Sequence, residues 1–134
     1  MSLEFEEREK EGIRILSLKG RITAGAESSA LRDRLKQFAA ESAKVVLDLG
    51  GVDYIDSTGL GSLVICFTTL RKAGGELKLL NLSRRNIELL VLTKLTTVFE
   101  IFNDEQEAVN SFFPGREIKP FDVLEFVQQS KKDA

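Results

Sequence analysis

The stretch VVLDLGGVDYIDSTGLGSLVICFTTL, residues 45–70, decides the fold. Its first part, Val45–Leu49, is a short apolar run closed by Gly50 and Gly51, which predicts a buried central strand. Apolar residues then return at the spacing of an amphipathic helix, at Leu60, Leu63, Val64, Phe67 and Leu70. A buried strand followed by a helix is the repeating unit of sheets with parallel strands.

The same alternation continues on both sides of this stretch. Ile13–Leu18 predicts a half-buried strand, which would pair with Leu3–Glu7 across a turn at Lys10–Gly12. The other predicted elements are a helix over Ala26–Ala40, a strand over Leu77–Leu80, a helix capped by Ser83, an edge strand over Thr97–Phe102, and a helix capped by Asp104 that runs through Phe112.

This order predicts an α/β fold: a small mixed β-sheet, with central strands parallel, about four helices packed against it, and a C-terminal helical extension. We expect the domain to cover residues 1–113 and the extension residues 114–134, since Pro114–Gly115 breaks the preceding helix. The extension has a wide apolar helical face that either packs on its own domain or mediates homodimer or partner contacts. That face consists of Phe121, Val123, Leu124, Phe126 and Val127.

The amino-acid composition excludes several classes of function. The chain has 134 residues, 43% of them hydrophobic, and a formal net charge of −2, which argues against nonspecific nucleic-acid binding. The absence of His excludes His-based catalysis and His-ligated metals, and the single Cys66 excludes an internal disulfide. Because the single thiol is predicted to be buried, we expect an intracellular, cytoplasmic protein. No apolar run is long enough to span a membrane. We expect no catalytic residues, no metal and no cofactor.

The segment Gly51–Gly61 is the candidate functional loop, because functional groups collect at the carboxyl ends of parallel strands. Ser57 is predicted to be the N-cap of the following helix, where the helix dipole would favour an anion on its hydroxyl. Gly59 and Gly61 lack side chains, so another molecule could approach the first turn closely.

Other interpretations of these residues remain open at this point. Ser57 could be a cap without further function, and Asp56 could simply form an Asx turn. The D-S-T-G run is similar to the aspartic protease motif, but an extra residue breaks that match. Asp48 and Asp53 together with Asp56 could suggest a metal, although no further ligand cluster is evident. Cys66 is interpreted as a packed core thiol, and Arg84 and Arg85 as solvated surface residues.

The chain resembles the STAS domain family, and within it the bacterial anti-sigma factor antagonists. The resemblance extends from Leu3 to about Phe113. It is carried by LKGRI at residues 18–22, by the VVLDL strand, by VDYIDSTGLG at residues 52–61 and by GGELKLLN at residues 74–81. The order and spacing of these blocks are more specific than D-S-T-G alone.

The resemblance implies a phosphorylation switch. In such antagonists the Ser that follows the loop Asp, here Ser57, is phosphorylated by a partner that is both anti-sigma factor and serine kinase. The unphosphorylated form binds that partner and so frees a sigma factor. The form phosphorylated on Ser57 is released, and a separate serine phosphatase restores the unphosphorylated form. Thr58 is a less favoured acceptor. The alternative is a STAS scaffold subunit of a signalling or lipid-transport complex that is never phosphorylated.

The same resemblance assigns a partner-binding surface around Ser57. Two departures from the family pattern concern it: Thr23 occupies a position that is often acidic in antagonists, and a minimal antagonist lacks the residues after Phe113. The predicted partner-binding residues are Asp56, Thr58, Gly59, Leu60, Gly61, Arg21, Thr23 and Gly25.

Overall fold

The computed structural model describes residues 3–117, 122, 123 and 125–127. Its strands are β1 (Glu4–Lys10), β2 (Ile13–Ile22), β3 (Lys44–Ile55), β4 (Glu76–Leu80) and β5 (Ile101–Phe102). Its helices are α1 (Ala26–Ala40), α2 (Ser57–Lys72), α3 (Arg84–Leu92), α4 (Glu105–Asn110) and a short 3-10 helix, Leu95–Thr97.

The five strands form one sheet in the order β1-β2-β3-β4-β5. β1 is antiparallel to β2, across a turn in which Glu11 and Gly12 both have positive φ. β2, β3, β4 and β5 run parallel to one another, with a helix between each successive pair. The predicted mixed sheet with parallel central strands is therefore confirmed.

Side chains alternate along β3 between two apolar clusters, one on each face of the sheet. Val45, Leu47 and Leu49 belong to the larger cluster, which α1, α2 and α3 cover, while Val46 belongs to a smaller cluster covered by α4. Burying one Leu side chain stabilises a fold by about 1.5–3 kcal/mol, so this strand is a major source of stability. It also fixes the position of the segment that follows it.

β3 is longer than the sequence predicts. It continues through Gly50 and Gly51 to Ile55, and it stays paired with β2 through two shifts of register. A Cβ on Gly51 would lie 2.8 Å from the carbonyl oxygen of Leu18, so glycine here permits close approach of two strands. The expectation that the two glycines end the strand was wrong.

The predicted edge strand over Thr97–Phe102 was also wrong in extent. Leu95–Thr97 forms the 3-10 helix, and only Ile101 and Phe102 pair with β4. Phe99 is buried and its ring meets that of Phe67 edge to face, with centroids 5.3 Å apart. This aromatic burial draws the segment inward before it can join the sheet.

The start of α3 agrees with its prediction, whereas α4 differs from its prediction at both ends. Ser83 caps α3 as predicted, because its side chain accepts a hydrogen bond from the amide of Asn86. Asp104 precedes α4, but its side chain makes no capping hydrogen bond, and α4 ends at Asn110 rather than at Phe112.

Part of the C-terminal extension is described. The carboxylate of Asp122 accepts a hydrogen bond from the amide of Glu125 at 2.9 Å, which caps a helical turn. Val123, Phe126 and Val127 are half-buried and pack against the larger apolar cluster. This contact supports packing of the extension on its own domain. Of the predicted apolar face, Phe121 and Leu124 lie outside the described residues.

A search of the described residues finds no helix with the length and apolarity that a bilayer span requires.

Candidate functional site

Asp56, and not Ser57, is the N-cap of α2. Its backbone is extended, with φ −89° and ψ 179°, and its carboxylate accepts a hydrogen bond from the amide of Gly59 at 2.7 Å. The sequence-based assignment of the cap to Ser57 was wrong by one residue, because Asp and Ser are both favoured caps and they stand side by side. Ser57 is the first residue of the helix proper.

The second carboxylate oxygen of Asp56 accepts a hydrogen bond from the amide of Ala24 at 3.1 Å. The amide of Asp56 donates in turn to the carbonyl of Ile22 at 3.2 Å. One side chain therefore connects the start of α2 to the segment between β2 and α1. The structure thus brings together the two regions that the sequence analysis placed in one surface.

Ser57 and Thr58 lie exposed on the first turn of α2. No hydrogen bond engages either hydroxyl among the residues that the structure describes. Amides in the first turn of a helix have no partner within the helix, and they carry the positive end of its dipole. The two hydroxyl groups are therefore accessible at the positive end of the helix dipole.

The two glycines of this turn have different roles. A Cβ on Gly59 would lie 2.0 Å from the carbonyl oxygen of Ile22, so this glycine lets α2 pack directly on the end of β2. A Cβ on Gly61 would meet nothing within 4 Å. The expectation of free access to the first turn therefore fits Gly61, whereas Gly59 faces its own domain.

The remaining predicted partner-binding residues are a mixture of exposed and buried positions. Arg21 and Gly25 are exposed, and Thr23 is half-buried with its carbonyl accepting a hydrogen bond from the hydroxyl of Ser28. Leu60 is only 7% exposed and belongs to the core. Leu60 therefore anchors the first turn of α2 to the larger apolar cluster. Its role in partner binding stays a prediction.

Sequence reasoning missed a cation–π contact next to this site. The guanidinium carbon of Arg85 lies 4.9 Å from the centroid of the Tyr54 ring. The side-chain amide of Asn86 also donates to the carbonyl of Val52, at 3.2 Å, which fixes the start of α3 against the end of β3. Arg85 is exposed, but it is held by an aromatic ring rather than simply solvated. Residues 54 and 85 are distant in sequence, so no local pattern could pair them.

Ile65 was also missed as a surface residue. It is 49% exposed, although it lies within an apolar helix. It follows Gly61 by four residues and Ser57 by eight, so the three share one side of α2. An exposed apolar side chain thus lies on the same side of α2 as Ser57, about two helical turns further along.

Cys66 is buried in the larger apolar cluster, as expected for a core thiol. Burial raises the pKa of its thiol to about 12. Since the thiolate is the reactive form, this cysteine is chemically inert in the folded protein at neutral pH.

Two of the three aspartates considered as metal ligands, Asp48 and Asp56, have other contacts. Asp48 accepts hydrogen bonds from the amide of Gly50 at 3.0 Å and from the side chain of Asn81 at 3.3 Å. Asp56 is engaged by two backbone amides. Within the described ranges, acidic and cysteine side chains do not gather in a group of three or more that could hold a metal ion.

Comparisons with known proteins agree on one family. Residues 4–108 match the STAS domain. The anti-sigma-B factor antagonist of Listeria monocytogenes is 36% identical over 108 residues, which are 80% of this chain and 93% of that protein. The protein of the same name from Bacillus subtilis is 44% identical over 71 residues, 53% of this chain and 65% of that protein.

A solved structure agrees with the fold. The crystal structure of an anti-sigma factor antagonist from Mycobacterium paratuberculosis superposes with a TM-score of 0.72. The two sequences are 22% identical, and the match covers 81% of this chain and 92% of that one.

Proposed function

Because the chain belongs to the STAS domain family, we propose that it is an anti-sigma factor antagonist of the cytoplasm that is switched by phosphorylation. In its unphosphorylated form it binds an anti-sigma factor that is also a serine kinase, and this binding frees a sigma factor. Phosphorylation of Ser57 releases the partner, and a serine phosphatase restores the binding form. The similarity to the antagonists of Listeria and Bacillus supports this role.

The observation that carries the proposal is the placement of Ser57. Its hydroxyl is exposed at the first position of α2, directly after the Asp56 cap. Because Asp56 uses both of its carboxylate oxygens on backbone amides, the backbone on either side of Ser57 is held in place. A kinase would thus meet an accessible hydroxyl on a rigid support.

The position of Ser57 also explains how a phosphate can weaken partner binding without changing the fold. A phosphoserine carries about −1.5 to −2 charges near neutral pH. At the start of a helix that charge meets free amides and the positive end of the dipole, so α2 tolerates it. A partner surface that fits a neutral hydroxyl must instead desolvate an uncompensated charge. A loss of about 3 kcal/mol in binding free energy would weaken the affinity roughly a hundredfold.

The direct test is phosphorylation by the serine kinase anti-sigma factors of the same organism, with ATP, followed by mass spectrometry of the peptide that contains Ser57. We expect one phosphate per chain, on Ser57, and its removal by the matching phosphatase. Ser57→Ala should abolish it, and Thr58→Ala should not. Thr68→Ala is a matched control, because Thr68 is exposed on α2 but donates its hydroxyl to the carbonyl of Val64.

Two other results would change the assignment. Stoichiometric phosphate on Thr58 in the Ser57→Ala variant would move the acceptor by one residue. No phosphate with any of these kinases, together with stable assembly into a larger complex, would favour the unphosphorylated scaffold role.

A further inference from the structure

Most arginines of the described chain are neutralised by acidic side chains. Those in ion pairs are Arg8, Arg14, Arg34, Arg84 and Arg116. In the described residues Arg21, Arg32, Arg71 and Arg85 form no ion pair, and of these Arg21, Arg71 and Arg85 are exposed. A charge that a protein leaves unpaired at its surface is available to a partner.

Arg21 and Arg85 both lie by one residue, Tyr54, which is close in the chain to Ser57. Arg21 lies opposite Tyr54 in the pairing of β2 with β3, and Arg85 lies over the Tyr54 ring at 4.9 Å. Tyr54 precedes Ser57 by three residues at the end of β3. We call Arg21, Tyr54 and Arg85 the arginine–tyrosine patch.

Acidic residues next to the patch do not neutralise it. Asp56 directs its carboxylate to the amides of Ala24 and Gly59. Asp53 is exposed on the same strand and forms no ion pair with either arginine. Glu88 lies further along α3 and is paired with Arg84, at 3.5 Å.

The cation–π contact of Arg85 with Tyr54 suits the binding of a carboxylate. An aromatic ring under the guanidinium restricts the side chain, which lowers the entropy lost on binding. The Tyr54 ring lies against the Arg85 guanidinium, and no N–H of Arg85 donates a hydrogen bond among the described residues, so its donors are available for a bidentate contact. Tyr and Arg are also the residue types that dominate binding energy in protein interfaces.

We propose that the arginine–tyrosine patch docks an acidic surface of the same kinase that binds and phosphorylates Ser57. The inference rests on the proposed function and adds the chemistry of the partner surface. Arg21 and Arg85 supply attraction and specificity, while the exposed face of α2 that carries Ser57 supplies the switch.

The test measures the affinity of the unphosphorylated chain for the kinase that phosphorylates Ser57, with variants Arg21→Ala, Arg85→Ala and Arg85→Lys. We expect each alanine variant to lose about tenfold in affinity, since buried charge contacts in interfaces have effects of this size or larger. Arg85→Lys should fall between the parent and Arg85→Ala, because it keeps the charge but not the planar fork. The double alanine variant should also lose most of the salt dependence of binding.

Arg71→Ala is the matched control. Arg71 also lies over an aromatic ring, that of Phe67 at 5.8 Å, and it forms no ion pair in the described part of the chain. It lies in the last turn of α2, at the end opposite Ser57. Its replacement should leave the affinity within about twofold of the parent. Circular dichroism and melting temperature establish that all variants are folded.

Three results would overturn the inference. If the kinase binds the parent and both alanine variants equally, the patch is not a contact and the proposed function stands. If affinity for a labelled single-stranded oligonucleotide depends on Arg21 and Arg85, the patch serves nucleic acid instead. If no kinase binds or phosphorylates the parent, the proposed function fails and the inference fails with it.

Discussion

Replacement of Asp56 tests the central geometry of the site, because one carboxylate makes two hydrogen bonds there. Asp56→Ala removes the cap on the amide of Gly59, which is worth about 1 kcal/mol in typical helices. It also removes the acceptor for the amide of Ala24, worth about another 1 kcal/mol. We therefore expect a loss of about 2 kcal/mol in the free energy of unfolding and a melting temperature lower by about 6–10 °C.

Neighbouring substitutions separate the two contributions. Asp56→Asn keeps one acceptor oxygen for Gly59 but offers an NH₂ group where Ala24 needs an acceptor, so it should lose about 1 kcal/mol. Ser57→Ala should stay within about 0.5 kcal/mol of the parent, because the Ser57 hydroxyl makes no hydrogen bond among the described residues. Asp53→Ala, an exposed acidic control near the end of β3, should also stay within about 0.5 kcal/mol.

The assay is equilibrium unfolding in urea, with the denaturant slope used to check that all variants unfold as the parent does. If Ser57→Ala costs as much as Asp56→Ala, then Ser57 is the cap after all and the site geometry is wrong. A loss below about 0.5 kcal/mol for Asp56→Ala would show that its two hydrogen bonds do not stabilise the fold.

Three further predictions concern Gly59, the Arg8–Glu105 pair and Phe126. Gly59→Ala should lower the free energy of unfolding by more than 1 kcal/mol, because the new Cβ would lie 2.0 Å from a backbone carbonyl oxygen. Gly61→Ala should be neutral or slightly stabilising, because its Cβ would meet nothing within 4 Å. Equal urea midpoints for the two variants would contradict this. A hydrogen bond from Arg8 lowers the pKa of Glu105 below its usual 4.5, so the pair stabilises the fold above that pH and its contribution disappears as pH falls through the lowered pKa. Arg8→Met should therefore destabilise near neutral pH and have little effect in acid, and an equal effect at both would refute the pairing. Phe126→Ala should lower the free energy of unfolding by about 1–2 kcal/mol, because Phe126 packs on its own domain. The mass measured by light scattering should not change. A change from dimer to monomer mass would place the extension at an interface instead.

Periodicity predicted the elements of this fold better than their ends. The alternation in β2 and the helical spacing of α2 follow from burial on one face, so both could be read directly from the sequence. The end of β3 could not, because the role of Gly51 depends on how closely Leu18 approaches it. Long-range packing of Phe99 on Phe67 likewise decided the short length of β5.

In the candidate site, too, contacts between residues distant in sequence could not be predicted from local patterns. The resemblance predicted a function for Ser57 and the segment around it. In the structure, hydrogen bonds from the amides of Ala24 and Gly59 to Asp56 link that segment to the one before α1. Local preference alone could not choose between Asp56 and Ser57 as the cap, since the choice depends on the amide of Ala24, thirty-two residues away. The contact of Arg85 with Tyr54 has no local signature at all.

The central claim is that a phosphate on Ser57 prevents partner binding without changing the fold. The most direct measurement is the affinity of purified phosphoprotein for its kinase, made alongside circular dichroism and a melting curve. We predict that affinity falls at least about tenfold while the spectrum and melting temperature stay close to those of the parent. Unchanged affinity, or a phosphoprotein that melts many degrees lower with amide shifts far from Ser57, would contradict the account.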